Sequence, residues 1–103
     1  MSGFALHPEA YDDIDEIRAY IAEDSPDTAD NVVNEIFDRL RQLTPFPNQG
    51  FRRPDCTSLP LRFIVVRGYW IAYAPEKDPL WVVAVVHGRR SPRVIAAILR
   101  GRE

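Results

Sequence analysis

The most informative run of this sequence is LWVVAVVHGRR, residues 80–90. Every position from Trp81 to Val86 is apolar, and four of those six residues are valines. Branched residues favour strands, and a strand without polar alternation is typical of one buried on both faces. We therefore expect a strand at Leu80–His87 that the rest of the chain covers on both sides.

The chain before this run predicts two further strands. Residues 61–67 and 69–74 are rich in Val, Ile, Trp and Tyr. Gly68 and the segment EKDP at 76–79 provide the turns between the runs. Three such runs with short connections most simply form an antiparallel meander.

Two amphipathic helices are predicted nearer the N terminus, after a short opening strand at 4–7. Pro8 suits the first position of a helix, and Ser25-Pro26 combines a capping residue with such a proline. Apolar residues recur at helical spacing, at 10, 14, 17 and 21 and then at 29, 33, 36, 40 and 43. Pro45 and Pro47 end the second helix. Two helices joined by a tight turn form an antiparallel helical hairpin.

The C-terminal residues repeat the helix-start signal at Ser91-Pro92, which predicts a short terminal helix. The predicted order is therefore β-α-α-β-β-β-α. This is an α+β fold, with the helical hairpin packed on a small, mostly antiparallel sheet. Residues 44–60 contain four prolines and no periodicity, and we expect a long loop that is functional or mobile.

Length and composition place limits on the class of protein. The 103 residues suffice for one domain, residues 1–103, and the 46% hydrophobic and 27% charged fractions are typical of globular proteins. No apolar run approaches the ~20 residues that span a bilayer, and the first residues do not resemble a secretory signal. Cys56 is the only cysteine, which excludes an intramolecular disulfide. We expect a cytoplasmic protein with no membrane association.

Charge is distributed unevenly along the chain. Residues 1–50 carry 3 basic and 11 acidic side chains, a balance of −8, whereas residues 51–103 carry 10 and 4, a balance of +6. A surface divided in this way favours an anionic partner for the second half.

Most polar residues have an ordinary structural interpretation. The sequence contains no phosphate-binding glycine loop and no common catalytic or zinc motif. The acidic cluster at 12, 13, 15 and 16 is best explained as a solvated helix face. Cys56 is interpreted as a loop cysteine without a special role, and His7, just before Pro8, as a capping or surface residue.

The segment HGRRSPR, residues 87–93, is the exception. Arginine presents a planar fork that suits phosphate or carboxylate. A histidine beside arginines can supply the base, the acid and the cation for RNA cleavage without a metal. The alternative is that these arginines pair with the acidic hairpin or a partner, or brace the sheet edge. For Arg90 both interpretations stay open.

Nearly the whole chain resembles the RelE/ParE toxin superfamily of bacterial type II toxin–antitoxin modules. The resemblance rests on FALHPEA at 4–10, on DDIDEI at 12–17 and on the proline-rich close of the second helix. The best local match is GYWIAY at 68–73, followed by VVAVVHGRR at 82–90. The resemblance implies that the protein is the toxin of a plasmid-stabilisation module and is neutralised by a cognate antitoxin. The fold of the superfamily agrees with the order of elements predicted above.

Two kinds of toxin share this superfamily. RelE-like members cleave mRNA on the ribosome with basic residues and typically a C-terminal tyrosine, whereas ParE-like members resemble inhibitors of DNA gyrase. Here only Arg90 matches a RelE-like catalytic position. Trp70 stands where an arginine is expected, Leu61 and Phe63 stand where lysines are expected, and no tyrosine follows Arg90. The HGRR form is ParE-like, and a pI of about 5.7 is low for a ribosome-binding protein.

The resemblance therefore implies a gyrase-inhibiting binding protein rather than an enzyme, with no cofactor and no metal. The alternatives are a RelE-like ribonuclease centred on Arg90 and His87, and a degenerate toxin that only binds antitoxin. No direct binding to DNA is expected without the antitoxin.

The expected partners define a binding surface. An antitoxin segment is expected to dock apolar anchors between the helical hairpin and the sheet, as a helix or as an added strand. An acidic antitoxin tail would meet basic side chains of the second half. The candidate antitoxin- or target-binding residues are Arg52, Arg53, Arg62, Arg67, Trp70, Arg89, Arg90 and Arg93.

Overall fold

The computed structural model describes residues 3–102. Its elements follow the predicted order β-α-α-β-β-β-α, so the α+β fold is confirmed. The strands are β1 (Phe4–Leu6), β2 (Arg62–Val66), β3 (Tyr69–Ala74) and β4 (Leu80–His87), and the helices are α1 (Pro8–Ala22), α2 (Pro26–Leu43) and α3 (Pro92–Arg100). A 3-10 turn at Pro47–Gln49 follows α2.

The four strands form one sheet in the order β1-β4-β3-β2. The pairs β2–β3 and β3–β4 are antiparallel, as the meander predicted, and β1 joins β4 in parallel. The register of β1 covers only Leu80 to Val82 of β4. Beyond Val82, no described strand pairs with the outer side of β4.

Each helix begins at a residue whose side chain caps its first turn. His7 accepts a hydrogen bond from the N–H of Glu9 through Nδ1, at 3.0 Å, which confirms its predicted capping role. Ser25 and Ser91 accept from the N–H three residues further on, at 3.2 and 3.3 Å. A proline follows each cap, where its missing N–H costs no hydrogen bond.

The sheet is buried on both faces, as the apolar run of β4 predicts. On one face the α1–α2 hairpin packs its apolar stripes against residues such as Ile71 and Val82. On the other face α3 and the loop before β2 cover Phe63 and its neighbours. Cys56 belongs to this second core and is only 1% exposed, so it lies in a loop as expected but is buried. Burial raises the pKa of its thiol.

A two-residue turn of Arg67 and Gly68 joins β2 to β3. Their φ angles are +50° and +82°, and Val66 pairs directly with Tyr69. Left-handed conformation at both positions matches the natural twist of a hairpin, and glycine adopts it without steric cost. This turn directs the Arg67 side chain towards α2.

The long loop at 44–60 is anchored to the sheet. The hydroxyl of buried Tyr73 donates to the Pro47 carbonyl at 2.7 Å and accepts from the Gly50 N–H at 2.9 Å. Arg62 donates to the Gly50 carbonyl at 2.8 Å, and Phe51 and Phe63 exchange two backbone hydrogen bonds. These contacts give the first part of the loop a structural role.

Candidate binding surface

Three of the candidate arginines already have partners inside the chain. Arg67 forms two hydrogen bonds with Glu35 of α2, at 3.0 and 2.7 Å, and Arg53 forms two with Asp55. Arg62 donates a hydrogen bond to the Gly50 carbonyl of the loop. The arginine hydrogen bonds lower the pKa of Glu35 and of Asp55. These three arginines therefore offer less free charge to a partner than the sequence count indicates.

Trp70 belongs to an aromatic cluster on the α3 side of the sheet. Its ring lies edge-on to Phe51 and Phe63, with centroids 5.4 and 5.8 Å away. The Arg53 guanidinium stacks over the indole at 4.6 Å, a cation–π contact. A Cβ at Gly88 would overlap the indole, so glycine is required there. Trp70 thus links β3 to the loop and to the segment that follows β4.

The remaining candidate arginines are free. Arg52, Arg89, Arg90 and Arg93 are exposed, and their side chains have no hydrogen bond or ion pair within residues 3–102. Arg100, which the sequence analysis did not select, joins them as an exposed and unpaired side chain. It lies on the same side of α3 as Arg93, because seven residues make nearly two helical turns. Arg89, Arg90, Arg93 and Arg100 are together called the basic surface below. Arg90 lies near Ile98, whereas Arg100 lies with Ala96 on the opposite face of α3.

An unexpected ion pair covers part of the outer side of β4. Arg102, just after α3, donates to both carboxylate oxygens of Asp13, at 2.8 Å for the Nη2–Oδ1 pair. It also donates to Glu9 at 2.9 Å and to the Val83 carbonyl at 3.2 Å. Asp13 in turn accepts from the Val85 N–H at 3.0 Å. The Arg102 and Asp13 side chains are only 11% and 14% exposed, and we call this pair the clasp.

The clasp corrects one sequence-based interpretation. Asp13 was assigned to a solvated helix face, and that assignment is wrong because its carboxylate binds Arg102 and β4. The hydrogen bond that Arg102 donates to Asp13 raises the pKa of Arg102 against the opposing effect of burial. No local pattern connects residues 13 and 102, since their contact depends on how α1 and α3 flank the sheet edge.

Beyond the clasp, a groove of about 490 Å³ opens at the end of β4. Glu16 and Tyr20 of α1 line it, together with Tyr69, His87 and Arg90. The Tyr69 ring meets the His87 ring edge-on at 5.3 Å. Nδ1 of His87 accepts a hydrogen bond from the N–H of Arg89, at 3.1 Å. The other polar atom of the ring is Nε2. We call this space the edge groove.

The edge groove brings together residues that the sequence analysis considered separately. His87 and Arg90, the two candidate ribonuclease residues, line the same groove. Tyr20 and Tyr69 were missed because a tyrosine was sought only after Arg90. Tyr69 follows Gly68 in the motif GYW, and Tyr20 comes three residues after buried Ile17 on α1. Neither sequence position indicates that the side chain lines a groove.

The helical hairpin packs tightly on the sheet along most of their contact. Ile17, Ile36 and Leu40 pack directly into the core shared with the sheet. The edge groove is where this contact opens, at the end of β4.

Among residues 3–102, no three His, Cys, Asp or Glu side chains are grouped so as to hold a metal ion. No helix in this part of the chain is both long enough and apolar enough to cross a membrane.

A helical hairpin on a four-stranded mixed sheet is the architecture that the resemblance to the RelE/ParE superfamily implies. The family described as "ParE toxin of type II toxin-antitoxin system, parDE" matches residues 4–92, and the chain belongs to this family. Toxin ParE2 of Mycobacterium tuberculosis strain CDC 1551 / Oshkosh is 28% identical over 103 residues, which cover 94% of this chain and 91% of that protein. Toxin ParE2 of strain ATCC 25618 / H37Rv matches equally. The predicted resemblance is confirmed, and membership implies an antitoxin partner.

Proposed function

We propose that this ParE-family toxin inhibits DNA gyrase in the cytoplasm by binding to it, and that a cognate antitoxin neutralises it. The observation that carries the proposal is the basic surface, four exposed arginines without partners inside the described chain. Uncompensated charge of one sign raises association rates with an oppositely charged partner. Arg89 and Arg90 belong to the HGRR segment that the sequence analysis identified as ParE-like.

Neutralisation follows if the antitoxin occupies the same arginines. An acidic antitoxin segment satisfies the guanidinium forks with carboxylates, and the target then finds the surface covered. Arg52 adds a further free charge from the loop. Arg53, Arg62 and Arg67 make smaller contributions, because each already has a partner.

The test is DNA supercoiling by purified gyrase, with the isolated protein titrated in and linear cleavage product measured. Loss of supercoiling with accumulation of double-strand breaks supports the proposal, and the antitoxin restores supercoiling when added. No effect from protein that circular dichroism shows to be folded refutes gyrase inhibition.

Matched variants localise the effect. The double substitution Arg89→Glu/Arg90→Glu reverses two charges of the basic surface and is expected to reduce both inhibition and antitoxin affinity. Arg39→Glu/Arg41→Glu makes the same change in net charge on α2. If both double variants lose activity equally, net charge rather than the basic surface is responsible.

The alternative ribonuclease function is favoured by one observation, the grouping of His87, Arg90 and Tyr69 around the edge groove. His87 is a possible base and Arg90 a possible phosphate ligand. In a translation assay, His87→Ala and Arg90→Ala would abolish mRNA cleavage without loss of folding. A folded protein that is inactive on both gyrase and ribosomes, but binds antitoxin, would be a degenerate toxin.

A further inference from the structure

We propose that the edge groove is a contact surface between two copies of this chain, which associate around a two-fold axis and pair Arg90 of each copy with Glu16 of the other. The inference goes beyond the proposed function, because it concerns the isolated protein and depends neither on the target nor on an antitoxin. It assigns the edge groove one occupant, a second copy of the chain.

The edge groove is lined by one free charge of each sign. Glu16 on α1 and Arg90 in the segment after β4 are both exposed, and neither side chain has a hydrogen bond or an ion pair within residues 3–102. Asp13 and Arg102, which also line the groove, bind each other in the clasp. The free charges of the lining are therefore balanced. Such a groove favours an occupant that carries both a carboxylate and a guanidinium.

A second copy of the chain meets this requirement by symmetry. In a two-fold dimer the same surface meets itself, so a contact from one residue to another is repeated in the reverse direction. Glu16 and Arg90 come from different walls of the groove, α1 and the segment after β4. A two-fold axis between these walls places each guanidinium opposite the carboxylate of the second copy, and two ion pairs form together.

Tyr20 provides the apolar part of the contact. It is 72% exposed, the highest value among the large hydrophobic residues of the described chain, and it lies one helical turn after Glu16 on the same wall. Tyrosine is enriched in protein interfaces because it combines a large ring with a polar end. In the dimer, the groove of about 490 Å³ receives the Tyr20 ring of the second copy beside Ile17 and Ile98.

The size of the groove sets the expected strength of association. A standard interface buries about 800 Å² on each partner, roughly an eighth of the 6121 Å² that this chain exposes. A contact centred on one groove and its rims is smaller, and interfaces of that kind are weak. We therefore expect a monomer–dimer equilibrium with a Kd on the order of 10–100 µM.

Sedimentation equilibrium of the isolated full-length protein, at about 5–500 µM, measures this equilibrium. Arg90→Glu places like charges opposite each other at two symmetric positions, and Glu16→Arg does the same with the opposite sign. Each single variant is expected to raise the dimer Kd by at least about tenfold. The double variant Arg90→Glu/Glu16→Arg exchanges the two charges, and its Kd is expected to return to within about threefold of the wild-type value.

Lys77→Glu and Asp15→Arg are the matched controls. They make the same changes in net charge at exposed side chains that lie outside the edge groove and have no partner within residues 3–102. Their Kd values are expected to stay within about threefold of the wild type. Thermal unfolding checks that every variant is folded, which is expected because the substituted side chains are exposed.

Three results overturn the proposal. The first is a wild-type protein that stays monomeric up to about 500 µM. The second is a dimer whose Kd the single reversals at Arg90 and Glu16 change no more than the controls do, which excludes the groove as the contact. The third is a double variant that dimerises as weakly as the single variants, which excludes the pairing of Arg90 with Glu16. None of these results bears on gyrase inhibition or on antitoxin binding, which are measured separately.

Discussion

Replacement of Arg102 by methionine tests the importance of the clasp. Methionine keeps a long, flexible side chain but removes every donor. The Asp13 carboxylate then retains only the Val85 N–H, and the Val83 carbonyl loses its side-chain partner. Breaking a fully buried ion pair costs about 3–5 kcal/mol, whereas an exposed pair contributes about 0–1 kcal/mol. With side chains 11% and 14% exposed, the clasp lies nearer the buried limit. We expect a loss of about 2–4 kcal/mol in the free energy of unfolding.

Such a loss is large for a domain of this size. The free energy of unfolding of small domains is about 5–15 kcal/mol, so the variant loses a substantial part of its stability. The corresponding fall in Tm is about 10–20 °C. Urea unfolding at 25 °C, followed by tryptophan fluorescence, measures the change as a lower midpoint with the same m-value.

Arg100→Met is the matched control, because Arg100 undergoes the same chemical change two residues away and has no partner within residues 3–102. Its effect is expected to stay within about 0.5 kcal/mol. Arg102→Lys is expected to lie between the wild type and Arg102→Met, since one ammonium cannot reproduce the planar fork. If Arg102→Met is no more destabilising than Arg100→Met, the clasp does not stabilise the fold and the reasoning fails.

Further predictions concern Tyr73, Cys56 and Gly88. Tyr73→Phe should lower the free energy of unfolding by about 1–3 kcal/mol, because a buried loop N–H loses its acceptor. Burial raises the pKa of Tyr73, so wild-type stability should fall as pH rises above about 10, and a similar fall in the variant would contradict this assignment. Cys56 should react with a thiol reagent at pH 8 at least about tenfold more slowly in the native than in the urea-unfolded protein, and equal rates would contradict its burial. Gly88→Ala should lower the free energy of unfolding by about 1–3 kcal/mol and shift the fluorescence of Trp70, because the added Cβ would overlap the indole. Gly101→Ala is the control, since a Cβ there makes only ordinary contacts and neither effect is expected. Equal unfolding midpoints for the two variants would exclude the overlap at Gly88.

The sequence predicted the secondary structure well because its signals are local. The apolar run of β4, the Ser-Pro pairs before α2 and α3, and the spacing of apolar residues each act within a few positions. Prolines after α2 and the glycine between β2 and β3 mark where elements end. Such features restrict the backbone before any distant contact forms, so the order of elements follows from them.

The candidate site was predicted less completely because charge along a chain does not reveal pairing in space. The excess of arginine after residue 50 correctly indicated a basic second half, and Arg89, Arg90 and Arg93 are free as a binding surface requires. The same count could not separate them from Arg67, whose partner Glu35 is 32 residues away. It also could not reveal the role of Arg100 or of Tyr20.

The sequence by itself determined the α+β class, the limits of most elements, the burial of β4 on both faces and the resemblance to ParE toxins. Only the tertiary structure decided which charges are free, because an ion pair depends on distance in space and not on position in the chain. The clasp joins residues 89 positions apart, and it forms only when α1 and the end of α3 meet at one side of β4. The edge groove has the same origin, since a three-residue β1 leaves the end of β4 uncovered while α1 and α3 provide the walls.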